Sequence, residues 1–410
     1  MTRYATPDTL LPLPGLATAH SHAFQRALRG RTHRPETTAA GSFWSWRGLM
    51  YALAEKLTPD DVYHLSRYAY TELALAGVTA VGEFHYLHHA PNGQPYADRT
   101  VMAEAVIQAA KDVGLRICLI RAAYLRGGYQ QALAPAQRRF SDPALDPILA
   151  DVVELQKRYA ADPLVNIGVA AHSIRAVPLP QVRELAAFAR AQAIPLHMHI
   201  AEQRQELAEC TAEYGQTPVA LLAEAGVLSE TFVGIHATHL TPPEVAALGQ
   251  ARALVCICRT TERDLGDGSP PLADLVQAGA RPCVGVDSHA SSDPFEEIRA
   301  LELDERVRQE KRQTVGDGAF LLAAGAQNGY EACGFSPALA EEADGVWLDA
   351  HDPALVGIPE ELWPEAAVFA GSPRAVQEVV VADRLIVHGG RHEGFEAAVA
   401  GYTAVVQKHR

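Results

Sequence analysis

The feature that most constrains the fold of this chain is the alternation of short apolar runs with longer amphipathic stretches between about residues 15 and 330. Short apolar runs are typical of strands buried in a parallel sheet, and amphipathic stretches are typical of helices that cover such a sheet. We predict eight strands, at residues 16–19, 78–84, 115–123, 165–171, 194–200, 232–235, 253–258 and 282–286. Eight strand–helix repeats predict an α/β chain folded as a (β/α)8 TIM barrel.

The segments between these strands carry helix start and stop signals. Several begin with a proline near the first turn and end at a glycine, which are the positions that these residues favour. We predict helices at residues 59–76, 100–113, 178–193, 242–249 and 271–279. The segment 23–57 is long for a strand-to-helix connection, and loops of that length usually form functional lids or interfaces.

Beyond about residue 335 the chain changes character. Short β-like runs at residues 345–349, 366–369, 378–381 and 384–388 are separated by proline, glycine and aspartate. They predict a small appended β-sandwich-like domain. We therefore divide the chain into an N-terminal segment (1–14) that joins this β-domain, a barrel (15–335), and a C-terminal β-domain with its tail (336–410).

Charge and composition narrow the function classes. The net charge of −14 argues against nucleic acid or an anionic membrane surface as the main partner. No uninterrupted apolar run reaches the roughly 20 residues that a membrane helix needs. The six cysteines show no zinc-knuckle or disulfide spacing, which favours reduced, buried thiols in a cytoplasmic protein.

A group of histidines and one aspartate stands at the predicted strand ends. His20 and His22 end the first strand, and two imidazoles at i and i+2 on an extended segment point the same way. His199, His236 and Asp287 end or follow strands five, six and eight. A lone histidine is more often core or surface, but active-site residues of a parallel barrel gather at this edge. The joint placement predicts a metal site, because imidazole and carboxylate are zinc ligands.

Glu202 lies three residues beyond His199 and places a carboxylate at the barrel mouth. A metal-bound water ionises near neutral pH and then needs a group that moves its proton. Glu202 or Asp287 would accept that proton, and His236 would polarise the attacked bond or supply a proton. Of the neighbouring pair His197 and His199, we choose His199 because it is closer to the strand end.

Eight segments match a known family. They are residues 20–27 (HSHAFQRA), 42–47 (SFWSWR), 83–89 (EFHYLHH), 171–177 (AHSIRAV), 199–203 (HIAEQ), 236–239 (HATH), 265–268 (LGDG) and 287–289 (DSH). On these segments the chain resembles the amidohydrolase superfamily, and within it the N-formimidoyl-L-glutamate deiminase family of histidine breakdown. The motifs SFWSWR and EFHYLHH are the more specific part of this resemblance.

The resemblance implies residue roles and a reaction. It implies one zinc ion per subunit, with Fe2+ left open, held by His20, His22, His199 and Asp287. It implies that Glu202, His236 and Asp287 take part in catalysis. It implies substrate contacts at Gln25, Arg47, Tyr86, His172 and Arg175. The expected reaction is hydrolysis of N-formimidoyl-L-glutamate, a small dicarboxylate, to N-formyl-L-glutamate and ammonia by a homodimeric enzyme.

Two other functions stay open at this point. One is another amidohydrolase, such as a nucleobase deaminase or an imidazolonepropionase-like hydrolase of cyclic amides, and the other is a catalytically inactive binding barrel. Carboxylate recognition separates the deiminase from other amidohydrolases, because Arg47 and Arg175 can bind a glutamate by paired hydrogen bonds. Metal content separates an enzyme from an inactive barrel. Residues 259–264 also depart from the family pattern, with arginine in place of proline at position 259. That loop is expected to border the site.

Overall fold

Eight parallel strands form the centre of the molecule in the computed structural model, which describes residues 9–33 and 43–409. After a first strand β1 (Leu10–Pro14), they are β2 (Leu16–Ser21), β3 (Val78–His85), β4 (Arg116–Ala123), β5 (Val165–Ala171), β6 (Leu196–Ile200), β7 (Phe232–His236), β8 (Leu254–Ile257) and β9 (Arg281–Val284). They neighbour one another in chain order. The predicted TIM barrel is confirmed, with each strand end within two residues of its predicted place.

The first and last barrel strands meet at the carboxyl edge through the site itself. The backbone nitrogen of Asp287 donates to the carbonyl of His20 (3.1 Å), and the backbone nitrogen of His22 donates to the carbonyl of Asp287 (2.9 Å). Hydrogen bonds between backbones leave little freedom for either segment. The closure of the barrel therefore fixes His20, His22 and Asp287 relative to one another.

Sixteen α-helices occur in the described part of the chain. They are α1 (Phe43–Ala54), α2 (Pro59–Leu75), α3 (Val101–Val113), α4 (Leu145–Tyr159), α5 (Leu179–Gln192), α6 (Arg204–Tyr214), α7 (Pro218–Glu224), α8 (Pro242–Gln250), α9 (Arg259–Leu265), α10 (Leu272–Ala278), α11 (Pro294–Gln309), α12 (Gly318–Gly325), α13 (Gln327–Ala332), α14 (Leu339–Glu342), α15 (Trp363–Ala370) and α16 (Phe395–Lys408). The five predicted helices correspond to α2, α3, α5, α8 and α10. At α2, Thr58 and Asp61 form a capping box and Pro59 stands in the first turn, as the start signal required.

A four-stranded antiparallel sheet forms the appended domain. Its order is β1, then β10 (Gly345–Asp349), β11 (Val376–Val381) and β12 (Arg384–Val387). The predicted appended β-domain is thus present, with β1 as one of its edge strands. Residues 1–8, 34–42 and 410 lie outside the described residues, and so do the corresponding parts of the predicted segments 1–14, 23–57 and 336–410.

One predicted β-like run is wrong. Residues 366–369 lie in helix α15, which has Pro364 in its first turn and packs against α11 and α12. A short apolar run fits a strand or a buried helix equally well, so its sequence alone could not separate the two. Within the described residues, no helix is long and apolar enough to cross a membrane.

Polar contacts, one of them fully buried, join the sheet and the C-terminal helix to the rest of the molecule. Arg116 on β4 donates two hydrogen bonds to Asp344, from Nε (2.7 Å) and from Nη2 (2.9 Å). Lys408 on α16 lies 2.8 Å from Asp61 on α2. All six cysteines are buried free thiols, as the sequence predicted.

Candidate active site

The predicted metal ligands converge at the carboxyl edge of the barrel. His20, His22, His199 and Asp287, which we call the ligand cluster, are all buried. Nε2 of His20 lies 3.2 Å from Nε2 of His199, and Oδ1 of Asp287 lies 3.5 Å from Nε2 of His20. The same oxygen lies 3.6 Å from Nε2 of His22. Ligand nitrogens of the three histidines thus lie within 4.8 Å of one another, and a carboxylate oxygen of Asp287 lies beside two of them.

Backbone carbonyls orient two of these imidazoles. Nδ1 of His22 donates to the carbonyl of Phe84 (2.9 Å), and Nδ1 of His199 donates to the carbonyl of His172 (2.8 Å). A proton held on Nδ1 leaves a lone pair on Nε2, which is the usual arrangement around a metal-bound histidine. Burial, with the neighbouring His20, lowers the pKa of His22 to about 3, so its ring is neutral.

The ligand cluster fits a divalent cation. Without one, several nitrogen lone pairs and a carboxylate face each other in a buried space, and buried polar groups of this kind need a partner. Four nitrogen and oxygen ligands suit zinc, which can expand its coordination to take a water as a fifth ligand. His197 is not part of the cluster, because its Nε2 donates to the carbonyl of Ala332 (2.8 Å).

His236 is surrounded by carboxylates. Its Nε2 lies 3.8 Å from Oδ2 of Asp287 and 3.9 Å from Oε1 of Glu202, and its Nδ1 lies 3.2 Å from Oε1 of Glu262. Burial lowers the pKa of His236, but the charges of Glu202, Asp287 and Glu262 outweigh burial and raise it to about 10. The protonated ring is therefore a cation whose Nδ1 donates to Glu262 and whose Nε2 faces the carboxylates of Glu202 and Asp287 without a direct hydrogen bond to either.

Left-handed backbone at the strand ends directs two of these side chains. His236 has a φ of 73° and Asp287 a φ of 49°. Residues other than glycine adopt such angles only where the surrounding structure holds them there, and such residues cluster at functional sites. The turn of the chain at each strand end thus aims both side chains at the cluster.

Cys258 lies beside the ligand cluster. Its sulfur, with one ligand atom each from His236 and Asp287, falls in a group whose members all lie within 4.8 Å of one another. Burial raises the pKa of the Cys258 thiol well above its usual range. Because a metal binds the thiolate and not the thiol, the histidines and the aspartate are the better ligands.

Glu262 is a site residue that the sequence analysis missed. One of its carboxylate oxygens faces His236, and the other accepts a hydrogen bond from Nη1 of Arg259 (2.6 Å). Nε of Arg259 also donates to Asp304 (2.6 Å) on α11. The residue that departs from the family pattern at 259 therefore supports Glu262, and of residues 259–265 only Leu265 lines the described cavity.

A cavity of about 540 Å3 opens above the ligand cluster. Its walls include Glu202, His236 and Asp287 and all five residues predicted to contact substrate, namely Gln25, Arg47, Tyr86, His172 and Arg175. Tyr51 and Tyr124 also line it and were not anticipated, because nothing in their sequence surroundings distinguishes them from core tyrosines.

The two arginines enter the cavity from different elements. Arg47 lies on α1, where its Nε donates to the hydroxyl of Tyr51 (2.6 Å) and its guanidinium lies 5.3 Å from the centre of the Trp44 ring. Arg175 follows β5, and its buried Nε has no partner among the described residues. Opposite them, Nε2 of Gln25 donates to the hydroxyl of Tyr86 (2.8 Å). The cavity thus has cationic and polar walls beside the ligand cluster.

A parallel barrel with histidines, an aspartate and a second carboxylate at its mouth has the composition of a metal-dependent hydrolase site. Comparison with known proteins agrees. The amidohydrolase family model matches residues 11–386. The chain is 36% identical to the formimidoylglutamate deiminase of Pseudomonas aeruginosa, covering 96% of this chain and 88% of that protein. It therefore belongs to the amidohydrolase family, and within it to the formimidoylglutamate deiminase family.

More distant relatives share the barrel. The chain is 26% identical to a 5'-deoxyadenosine deaminase of Methanoregula boonei, over 95% of this chain and 82% of the relative. The crystal structure of an amidohydrolase from Brucella melitensis superimposes with a TM-score of 0.89 at 30% identity, covering 97% of this chain and 89% of that chain. The protein is thus a hydrolase of the amidohydrolase family.

Proposed function

We propose that this protein hydrolyses N-formimidoyl-L-glutamate to N-formyl-L-glutamate and ammonia, with one zinc ion held by His20, His22, His199 and Asp287. The observation that carries the proposal is that Arg47 and Arg175 line the same cavity as Glu202 and His236. The substrate has two carboxylates at one end and an amidine-like carbon at the other. A cavity with guanidinium groups beside a hydrolytic centre matches both ends.

The arginines would bind the glutamate end. Guanidinium groups pair with carboxylates through two parallel hydrogen bonds, and Arg175 has a buried donor nitrogen without a partner among the described residues. Oε1 of Gln25 is likewise a buried acceptor without a described partner, so it can receive a substrate N–H. Holding the substrate by three groups orients the amidine carbon and removes much of the entropic cost of the reaction.

The ligand-cluster side of the cavity would carry the chemistry. A divalent ion, when bound there, supplies an activated water. Glu202 would accept a proton from the attacking water as the water oxygen bonds to the amidine carbon, and would later deliver a proton to the leaving nitrogen. The protonated ring of His236, held by Glu262, stabilises the negative charge that develops. The carbon–nitrogen bond then breaks, and ammonia leaves.

The test is ammonia release by metal-analysed protein from N-formimidoyl-L-glutamate, with N-formimidoyl-L-aspartate, adenine and guanine as controls. We expect turnover of the glutamate derivative above all the others. Arg47→Ala and Arg175→Ala should each raise its KM strongly, while the metal content stays at the wild-type level. Unchanged kinetics in both variants, or faster turnover of a nucleobase, would refute the assignment of substrate.

A further inference from the structure

Helix α1 forms one wall of the cavity although it lies outside the barrel. Five of its side chains line the cavity, namely Phe43, Trp46, Arg47, Met50 and Tyr51. The ligand cluster lies at the ends of the barrel strands, which position it directly, whereas Arg47 lies on a helix that is not part of the barrel. Other contacts must therefore hold this helix in place if Arg47 is to meet a substrate carboxylate.

The carboxyl end of α1 is held by the side chain of Arg139. Its Nη1 donates to the carbonyl of Ala54, the last residue of α1, and its Nη2 donates to the carbonyl of Leu57 (2.8 Å). Its Nε donates to the carbonyl of His89 (2.9 Å), in the loop that follows β3. The backbone carbonyl of Arg139 in turn accepts from the nitrogens of His88 and His89, each at 3.0 Å. One residue thus joins three segments.

The burial of this arginine makes the contact unusual. Arg139 is only 1% exposed, and within the described residues no carboxylate forms an ion pair with it. The last carbonyls of a helix lack partners within the helix and carry its partial negative charge. The guanidinium meets this requirement with a full positive charge. The end of α1 therefore serves as the counter-charge for a buried cation.

Arg139 ends a 3-10 helix (Pro135–Arg139), and a second residue of that helix, Gln137, contacts a side chain of α1. Nε2 of Gln137 lies 2.7 Å from the hydroxyl of Tyr124 and 3.4 Å from the hydroxyl of Tyr51. The Tyr51 hydroxyl is the acceptor for Nε of Arg47, at 2.6 Å. The short helix therefore contacts α1 at its end through Arg139 and near Arg47 through Gln137.

We infer that Arg139 is a positioning residue for substrate recognition, because it holds α1 where Arg47 reaches the cavity. The inference rests on the proposed function only for its kinetic part. Arg139 touches neither the cavity nor the ligand cluster, so its loss should leave the metal site intact. It should act on substrate binding through Arg47.

The test compares Arg139→Met and the milder Arg139→Lys with Arg138→Met, which changes the exposed arginine next to it. The first measurement is amide hydrogen exchange of residues 43–54 in the metal-loaded protein. We expect clearly faster exchange in Arg139→Met, a smaller increase in Arg139→Lys, and none in Arg138→Met. This measurement does not depend on the identity of the substrate. If Arg139→Met fails to fold, Arg139→Lys still decides the result.

The second measurement is a double-mutant cycle on KM. Arg139→Met should raise KM about tenfold or more with kcat nearly unchanged, and add less than about twofold in an Arg47→Ala background. Equal increases in both backgrounds, or exchange of α1 no faster than in Arg138→Met, would overturn the inference. If the wild-type protein does not hydrolyse N-formimidoyl-L-glutamate, the proposed function is refuted. The exchange measurement would still test whether Arg139 holds α1 in place.

Discussion

Replacing Glu202 by glutamine should abolish most turnover and leave the metal in place. The Glu202 carboxylate lines the cavity, with Oε1 3.9 Å from Nε2 of His236, and its side chain is 12% exposed. Burial raises the pKa of Glu202, as suits a group that must both accept and return a proton. Glutamine keeps the size and the polar contacts of this side chain but cannot move a proton.

The expected loss follows from that double role. A positioned general acid or base contributes about 10²- to 10⁴-fold to the rate. Glu202 is proposed to serve in two proton transfers, so we expect kcat to fall by about 10³- to 10⁴-fold, equivalent to about 4–5 kcal/mol at the transition state. KM should change little, because the glutamate end is held elsewhere in the cavity.

Glu206→Gln provides the matched control. Its carboxylate accepts from the backbone nitrogen of Glu202 (3.1 Å), but it does not line the cavity. Burial raises the pKa of Glu206 to about 7, so glutamine resembles a form that it already populates near neutral pH. We expect kcat within about threefold of wild type. Ammonia release and metal content would be measured on both variants. A Glu202→Gln protein with full metal and more than about a tenth of wild-type kcat would refute the reasoning.

Three further predictions concern metal and stability. Removing the metal with a chelator should lower the melting temperature and abolish turnover, and added zinc should restore both; an unchanged melting temperature would argue against a bound ion. Asp344→Ala should cost about 3–5 kcal/mol of stability in urea unfolding because it leaves Arg116 buried without its carboxylate, and a loss below about 1 kcal/mol would contradict this. Burial raises the pKa of Glu297 from 4.5 to about 8, so the folded state binds more protons than the unfolded state between those values. Stability should therefore fall as pH rises through this window, and Glu297→Gln should remove that part of the fall. Melting temperatures of the two proteins that change in parallel with pH would refute this prediction.

The barrel could be predicted because its signals are local. A strand buried on both faces reads as a continuous apolar run, and each run is bounded by a helix with its own proline or glycine signal. The ligand cluster could be predicted for a related reason. Parallel strands all end at one edge, so His20, His199 and Asp287 had to come together once their strands were recognised. The same reasoning separated His199 from His197, which lies deeper in the strand and bonds to the carbonyl of Ala332.

The residues that escaped prediction depend on contacts between distant segments. Glu262 reaches His236 only because α9 folds back over the end of β8, and its place in the sequence carries no sign of that contact. Arg139 reaches the carbonyl of Ala54, 85 residues earlier in the chain, and Tyr51 meets Gln137, 86 residues later. The helix α15 was mistaken for a β-like run because its apolar residues are too few to show a period.

The two walls of the cavity are held in different ways, and this has a consequence for specificity. The ligand cluster is tied by backbone hydrogen bonds between the first and last barrel strands, so its geometry follows from the closure of the barrel. The substrate wall on α1 is tied by the side chains of Arg139 and Gln137. Under the proposed function, a substitution in those side chains should move Arg47 without disturbing the ligand cluster. Under the proposed function, substrate choice could therefore change while the ligand cluster is kept, and the relatives of this chain carry the names of different deaminases.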